Sequence, residues 1–123
     1  MSALKRKPSK LLKPAPFLGK WRLVEMEQWD EDFIDVVETG HILFKRGGTG
    51  QMVFGAVHLT LDWVPGEDDR AEFTFEGFDE MDEVSGRGWA AVESGVLGGA
   101  IYFHLGDDST FLAEKWPTRK ARA

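Results

Sequence analysis

Short runs of β-branched and aromatic residues alternate with glycine-rich turns along most of this chain. Residues 70–77 show the pattern most clearly, because apolar and polar residues alternate there with a period of two. Such a period predicts a strand with one buried and one solvated face, which is typical of antiparallel sheets. The same reasoning predicts further strands at residues 17–28, 41–45, 51–64, 84–93, 96–105 and 110–116.

One segment departs from the strand pattern. Residues 30–38 place Phe33, Ile34 and Val37 at helical spacing behind Asp30, a residue type that often caps a helix N-terminus. We therefore expect one short helix after the first strand. The long run 51–64 contains Gly55, which is a plausible bulge or corner within a bent strand.

Seven or eight short strands joined by tight turns predict an antiparallel meander, and closing it into a barrel would leave no free sheet edge. The expected fold is therefore all-β: a single antiparallel up-and-down β-barrel of about eight strands, with one short helix after the first strand. A chain of 123 residues makes one domain. We assign residues 16–117 to the barrel.

Charge sets the two ends of the chain apart from its body. All 21 acidic residues lie between Glu25 and Glu114, whereas nine of the 15 basic residues lie outside residues 14–114. Residues 14–114 contain six basic and 21 acidic residues, a balance of −15, and the two ends together carry +9. Residues 1–15 are predicted to be a disordered basic arm, and residues 118–123 a basic tail. The acidic body disfavours nucleic acid as a partner, while the basic ends leave a macromolecular partner possible.

Export and membrane signals are weak in this sequence. The apolar pair Leu11-Leu12 is far shorter than the ~7–15-residue apolar core of an export signal. No run approaches the ~20 apolar residues of a membrane span. The chain has no cysteine, which excludes disulfides, thiolate catalysis and cysteine-held metals. These features predict a cytoplasmic protein.

The segment Phe17-Leu18-Gly19-Lys20-Trp21 opens the meander and resembles the first strand of the calycins, the lipocalins and intracellular fatty-acid-binding proteins. The resemblance implies a barrel whose first-strand Trp plugs the base. It also implies that Lys115 or Arg119 takes the place of the lipocalin basic residue that stacks on this Trp. The Arg-x-Tyr clamp of fatty-acid-binding proteins and the Thr-Asp-Tyr motif of lipocalins are both missing. Residues 86–90 and 104–109 are also similar to stretches of uncharacterised small bacterial proteins, which implies no activity.

Candidate metal ligands and catalytic groups are few. His41, His58 and His104 lie in separate predicted strands without a zinc-binding spacing, so we expect hydrogen-bonded structural histidines. The acidic stretches 67–69 and 79–83 lack the pattern of a calcium loop and are expected to be solvated turns. No Gly-x-Ser-x-Gly elbow or phosphate loop is present. We therefore expect no enzyme, no cofactor and no metal site.

Five tryptophans and nine phenylalanines exceed the needs of an average core. Aromatic walls with a few polar groups line ligand cavities in small barrels, although the same rings could simply fill the barrel. If there is a ligand site, we expect it in the open half of the barrel, with this set of residues: Trp29, Arg87, Trp89, Tyr102 and His104.

Position along the chain motivates this set. Trp29 lies where the first strand meets the helix. Arg87 and Trp89 share strand parity, as do Tyr102 and His104, and their two strands should pair. An arginine beside an aromatic ring could hold a carboxylate or stack on a planar ligand. The alternative for Arg87 is a solvent-facing side chain paired with surface acids.

The sequence thus predicts a non-enzymatic barrel that binds a small apolar or planar ligand. The alternative is a protein-interaction module with a solid barrel core, an acidic body and basic arms. An enzyme using Arg87, Tyr102 and His104 for acid–base work is a third and weaker hypothesis. An interior void would favour the first hypothesis, and a packed interior with an exposed apolar patch would favour the second.

Overall fold

Eight antiparallel strands close into one barrel in the computed structural model, which describes residues 15–117. In chain order they are β1 Gly19–Met26, β2 His41–Lys45, β3 Thr49–Phe54, β4 Val57–Pro65, β5 Ala71–Asp79, β6 Asp82–Glu93, β7 Val96–Phe103 and β8 Asp108–Lys115. Each strand pairs with the next, and β8 pairs back with β1. The fold is the predicted up-and-down barrel and is compatible with a calycin-like barrel. The basic arm, except for Ala15, and the basic tail lie outside the described residues.

A single short helix, α1 (Glu31–Ile34), lies between β1 and β2. The Asp30 carboxylate accepts a hydrogen bond from the Phe33 N–H at 3.0 Å and so caps the helix as predicted. The helix ends four residues earlier than the predicted segment 30–38. Its continuation is replaced by a turn in which Asp35 Oδ1 accepts a hydrogen bond from the Gly40 N–H at 2.8 Å.

The run 51–64 is two strands rather than one bent strand. Gly55 has φ +59°, a left-handed conformation that glycine adopts without steric cost, and the chain reverses there between β3 and β4. The Gly55 N–H donates to the Ile34 carbonyl at 2.9 Å, which ties the hairpin turn to α1. The expected corner is therefore a complete reversal of the chain.

Large apolar side chains fill the barrel interior. Alternate residues of the strands point inward, and the largest fully buried side chains include Phe44, Phe54, Phe111, Leu23, Ile42, Met52, Leu61, Leu97 and Ile101. Glycines on β6 make room for this packing, because a Cβ at Gly86 or Gly88 would stand 2.6 Å from the ring of Phe75 or Phe73. The aromatic residues therefore serve mainly as core.

The barrel end at which the described chain begins, here the Phe17 end, is closed by aromatic rings. Phe17 meets Phe44 and Trp63 edge-on, with ring centroids 5.4 and 5.0 Å apart. Trp21 is 2% exposed, and its indole N–H donates to the Phe17 carbonyl at 2.9 Å. The Lys115 Nζ lies 4.7 Å from the Trp21 ring centroid. Of the two basic residues expected over this Trp, Lys115 is the one found there, and Arg119 lies outside the described residues.

The opposite end, here the α1 end, is closed by a second aromatic group. The Trp29 ring lies 6.4 Å from Phe33, 4.9 Å from Phe54 and 6.2 Å from Phe103 by ring centroids. Trp29 therefore packs over the top of the core, beside α1. With both ends covered and the interior filled, the accessible surfaces of the barrel are its outer face and its turns.

Candidate functional site

Strand register places the predicted site residues of β6 and β7 on the outer face of the barrel. Arg87 pairs with Tyr102 and Trp89 pairs with Ala100, while the alternate β6 residues Gly86 and Gly88 face the core. His104 follows β7 and is exposed. These four predicted residues therefore do not line the interior of the barrel.

The phenylalanines of β5 explain why the large side chains of β6 lie on the outer face. Phe73 and Phe75 lie directly across from Gly88 and Gly86 in the register. Their rings, together with the Tyr102 and Ala100 carbonyl oxygens of β7, leave room for no residue but glycine at positions 86 and 88. The bulky β6 side chains consequently point outward. Trp29, the fifth predicted residue, is not part of this outer group and belongs to the α1 end.

The outer group forms a cation–aromatic row of four residues: Arg70, Trp89, Tyr102 and Arg87. The Arg70 guanidinium carbon lies 4.1 Å from the Trp89 ring centroid, and the Arg87 guanidinium carbon lies 4.6 Å from the Tyr102 centroid. Trp89 Nε1 donates to the Tyr102 hydroxyl oxygen at 3.3 Å and joins the two halves. The row therefore holds its aromatic rings between two positive charges.

The two arginines of the row differ in charge environment. Arg70 Nε lies 3.3 Å from a Glu72 carboxylate oxygen, so its charge has a partner. Arg87 is exposed, and it makes no ion pair with any residue between 15 and 117. The guanidinium of Arg87 is therefore held in place by Tyr102 while its donors remain available to an anionic group.

An open groove with a volume of about 930 Å³ runs over the outer face beside this row. We call it the outer groove, and its outward-facing side chains are Thr60, Asp62, Thr74, Glu76, Ser85, Arg87, Tyr102, His104 and Asp108. A neighbouring groove of about 840 Å³ shares Thr60, Glu76 and Ser85. The outer groove thus offers hydroxyls, carboxylates, an imidazole, an aromatic ring and the Arg87 guanidinium.

The turns above the outer groove carry exposed apolar side chains. Phe78 is 51% exposed, Met81 91% and Leu105 94%. We define the rim surface as residues 78–83 and 104–108, which are the β5–β6 and β7–β8 turns at the α1 end. Sequence reasoning missed this surface, although the signal was present: Met81 and Leu105 are large apolar residues within turn sequences.

The three histidines do not form a site. His41 is 3% exposed on the outer side of β2, where Nδ1 lies 3.0 Å from the Thr39 carbonyl oxygen and Nε2 lies 3.0 Å from the Gln51 amide nitrogen. His41 is thus the hydrogen-bonded structural residue that was expected, whereas His58 and His104 are exposed. Within residues 15–117, no group of three His, Asp or Glu side chains is arranged to hold a metal ion.

A comparison of the chain with protein-family models, curated proteins and solved structures finds no match in any of the three. Among residues 15–117, no helix combines the length and apolar character needed to cross a bilayer.

Proposed function

We propose that this protein is a non-enzymatic, calycin-like binding barrel that takes a small planar ligand in the outer groove rather than inside the barrel. The observation that carries the proposal is the exposed Arg87 guanidinium, which is held over Tyr102 and makes no ion pair within residues 15–117. The position of Lys115 over Trp21 supports the calycin resemblance. The absence of cysteine from the sequence supports placing the protein in the reducing cytoplasm.

The chemistry of the outer groove favours a planar ligand with a single negative charge. A guanidinium can bind a carboxylate with two parallel hydrogen bonds, and its flat face or the adjacent phenol can stack on a ring. The hydroxyls of Thr74 and Ser85 supply further hydrogen bonds. Nearby carboxylates, among them Asp62 and Asp108, would repel a ligand of higher negative charge.

Fluorescence titration with 2-naphthoate, and with its uncharged amide as the matched ligand, tests this proposal. We expect naphthoate to quench tryptophan emission, and Arg87→Ala to weaken its binding about tenfold, the effect of losing ~1.4 kcal/mol of charge-assisted hydrogen bonding. Trp89→Phe should remove most of the signal. Arg46→Ala, a change at an exposed arginine in the β2–β3 turn, is the control and should bind like the wild type. Equal affinities for the wild type and Arg87→Ala would reject the site.

A second candidate function, a protein-interaction module, is favoured by the rim surface. The barrel core is filled, yet Phe78, Met81 and Leu105 leave apolar surface exposed among acidic residues. Exposed apolar patches with a polar surround are typical of protein-binding sites. The expected partner is a segment with both basic and apolar side chains.

Binding of a synthetic peptide of alternating Lys and Leu tests the second candidate by NMR. We expect the backbone amide shifts of the rim surface to move on titration, and the double substitution Met81→Asp/Leu105→Asp to abolish the effect. Val64→Asp places the same charge at an exposed apolar residue of the Phe17 end and is the matched control. Shifts scattered over the whole barrel, or an equal loss in the control, would contradict a specific site.

A further inference from the structure

The rim surface sets two requirements for a partner. Its residues, 78–83 and 104–108, include six acidic residues and no lysine or arginine, so a positive partner is favoured. All six acidic side chains are exposed, as are Phe78, Met81 and Leu105. A partner that matches this surface therefore combines basic and apolar side chains in a short segment.

The side chain of Leu105 faces solvent rather than the core of the barrel. Leu105 has φ +58°, a left-handed conformation that its Cβ disfavours, and its side chain is almost fully exposed. The side chain gains no packing within the barrel that would offset this strain.

The chain itself carries a segment with the required chemistry. Residues 1–14 contain five basic residues and no acidic residue, together with apolar residues such as Leu4. The described chain begins at Ala15, and the adjoining Phe17 packs against Trp63 at the end of the barrel opposite the rim surface. A contact between this segment and the rim surface therefore has to span the height of the barrel.

The distance that an extended chain can span determines which basic residues of the segment can contact the rim surface. The nine residues of β5 span ~30 Å, and a strand tilt of ~40° reduces this to a barrel height of ~23 Å. An extended chain covers at most ~3.3–3.6 Å per residue, so Lys5-Arg6-Lys7 lies within ~26–36 Å of Ala15 and reaches the rim surface. The Cα atoms of Lys10 and Lys13 extend at most ~18 and ~7 Å from Ala15, which is less than the height of the barrel.

We propose that residues 4–7 bind the rim surface of their own barrel, with the basic run against the acidic turns and Leu4 near Leu105. A tether of this length gives an effective concentration of about millimolar, which favours contact within one chain over contact between chains at ordinary protein concentrations. The contact requires no folded structure in the segment, because charge attraction and one apolar contact suffice. This inference rests on the interaction-module proposal and names the partner for it.

A spin label tests the contact in the full chain. The sequence has no cysteine, so Ser2→Cys gives a single attachment site. We expect a nitroxide there to broaden the amide resonances of Met81 and Leu105 in the ¹⁵N-labelled protein, and about 0.5 M salt to remove most of the effect by screening. Lys5→Glu/Lys7→Glu should reduce the broadening several-fold. Lys10→Glu/Lys13→Glu makes the same change in charge and should leave most of it.

Three results would overturn the inference: no broadening at the rim surface, an equal effect of the two charge-reversed pairs, or broadening transferred between chains in a mixture of spin-labelled ¹⁴N protein and unlabelled ¹⁵N protein. The peptide titration separates this inference from the proposed function. If the Lys-Leu peptide shifts the rim surface while the spin label does not broaden it, the interaction module stands and its assignment to residues 4–7 fails. If neither the peptide nor the label affects the rim surface, both fail.

Discussion

At the scale of single residues, Trp21 connects the Phe17 end of the barrel to its first and last strands. Its ring is buried, its N–H is paired with the Phe17 carbonyl, and Lys115 lies over its face. Trp21→Ala should lower the free energy of unfolding by about 3–5 kcal/mol in urea titrations. Lys115→Ala is the control and should cost under about 1 kcal/mol, since it removes only the cation–π contact. A loss below about 0.5 kcal/mol for Trp21→Ala would show that the ring is not part of the core.

A substitution at Leu105 should stabilise the protein, in contrast to the substitution at Trp21. In the chain without residues 1–13, where no contact with Leu4 is lost, Leu105→Gly should raise the free energy of unfolding by about 0.5–1 kcal/mol, because glycine relieves the left-handed strain and the exposed side chain loses little packing. Leu112→Gly is the matched control within β8 and should destabilise the protein. Chemical denaturation of both variants checks the pair. A destabilised Leu105→Gly would mean that the leucine packs against the barrel.

The candidate site shows which residue-level features the sequence could predict. Chain order correctly predicted that the strands carrying Arg87 and Tyr102 pair, and strand parity correctly placed Arg87 and Trp89 on one face. The face they occupy did not follow, because β6 places glycines inside and its bulky residues outside. That choice depends on the rings of Phe73 and Phe75 across the interior, a packing relation between strands that no pattern along one strand encodes.

At the scale of elements, two glycines on neighbouring strands should respond differently to an added methyl group. A Cβ at Gly88 would stand 2.5 Å from the Ala100 carbonyl oxygen and 2.6 Å from the Phe73 ring. A Cβ at Gly98 on the outer side of β7 would meet Leu112 at 3.4 Å and the Phe111 carbonyl oxygen at 3.9 Å, which are ordinary contacts. Gly88→Ala should destabilise the barrel by about 1–3 kcal/mol through overpacking. Gly98→Ala should be neutral or stabilising by up to about 1 kcal/mol, since alanine restricts the unfolded chain. Equal thermal stabilities of the two variants would contradict the packing of β5 against β6.

The sequence predicted the ends of a strand where apolar and polar residues alternate clearly. It failed where a turn contains few of the residue types that are common in turns. Segment 41–45 matches β2, and segments 70–77 and 84–93 match β5 and β6 within two residues. The reversal at Gly55-Ala56 was missed because the only turn residue is one glycine between two β-branched and aromatic runs. The early end of α1 depends on the side chain of Asp35, whose contact with Gly40 exists only in the folded chain.

At the scale of the whole molecule, the excess of negative charge on the barrel lowers its stability. Residues 15–117 contain seven basic and 21 acidic residues, a net charge of −14, while residues 1–14 and 118–123 contribute +5 and +3. A body of this charge repels itself, and the repulsion is strongest at low ionic strength. The basic ends offset part of this repulsion, and residues 1–14 offset the larger share.

Deleting residues 1–13 changes the net charge from −6 to −11 and should therefore lower the melting temperature most at low salt. We expect a drop of ~3–5 °C at about 20 mM salt, corresponding to ~1 kcal/mol, and a difference within ~1 °C at about 0.5 M, where screening acts within ~4 Å. Deleting residues 118–123 removes three charges and is the control. Because the tail extends at most ~20 Å from Pro117, its removal should cost less per charge than removal of the arm, for which we propose a contact with the rim surface. A drop that persists at high salt would mean that the arm stabilises the barrel through apolar packing instead.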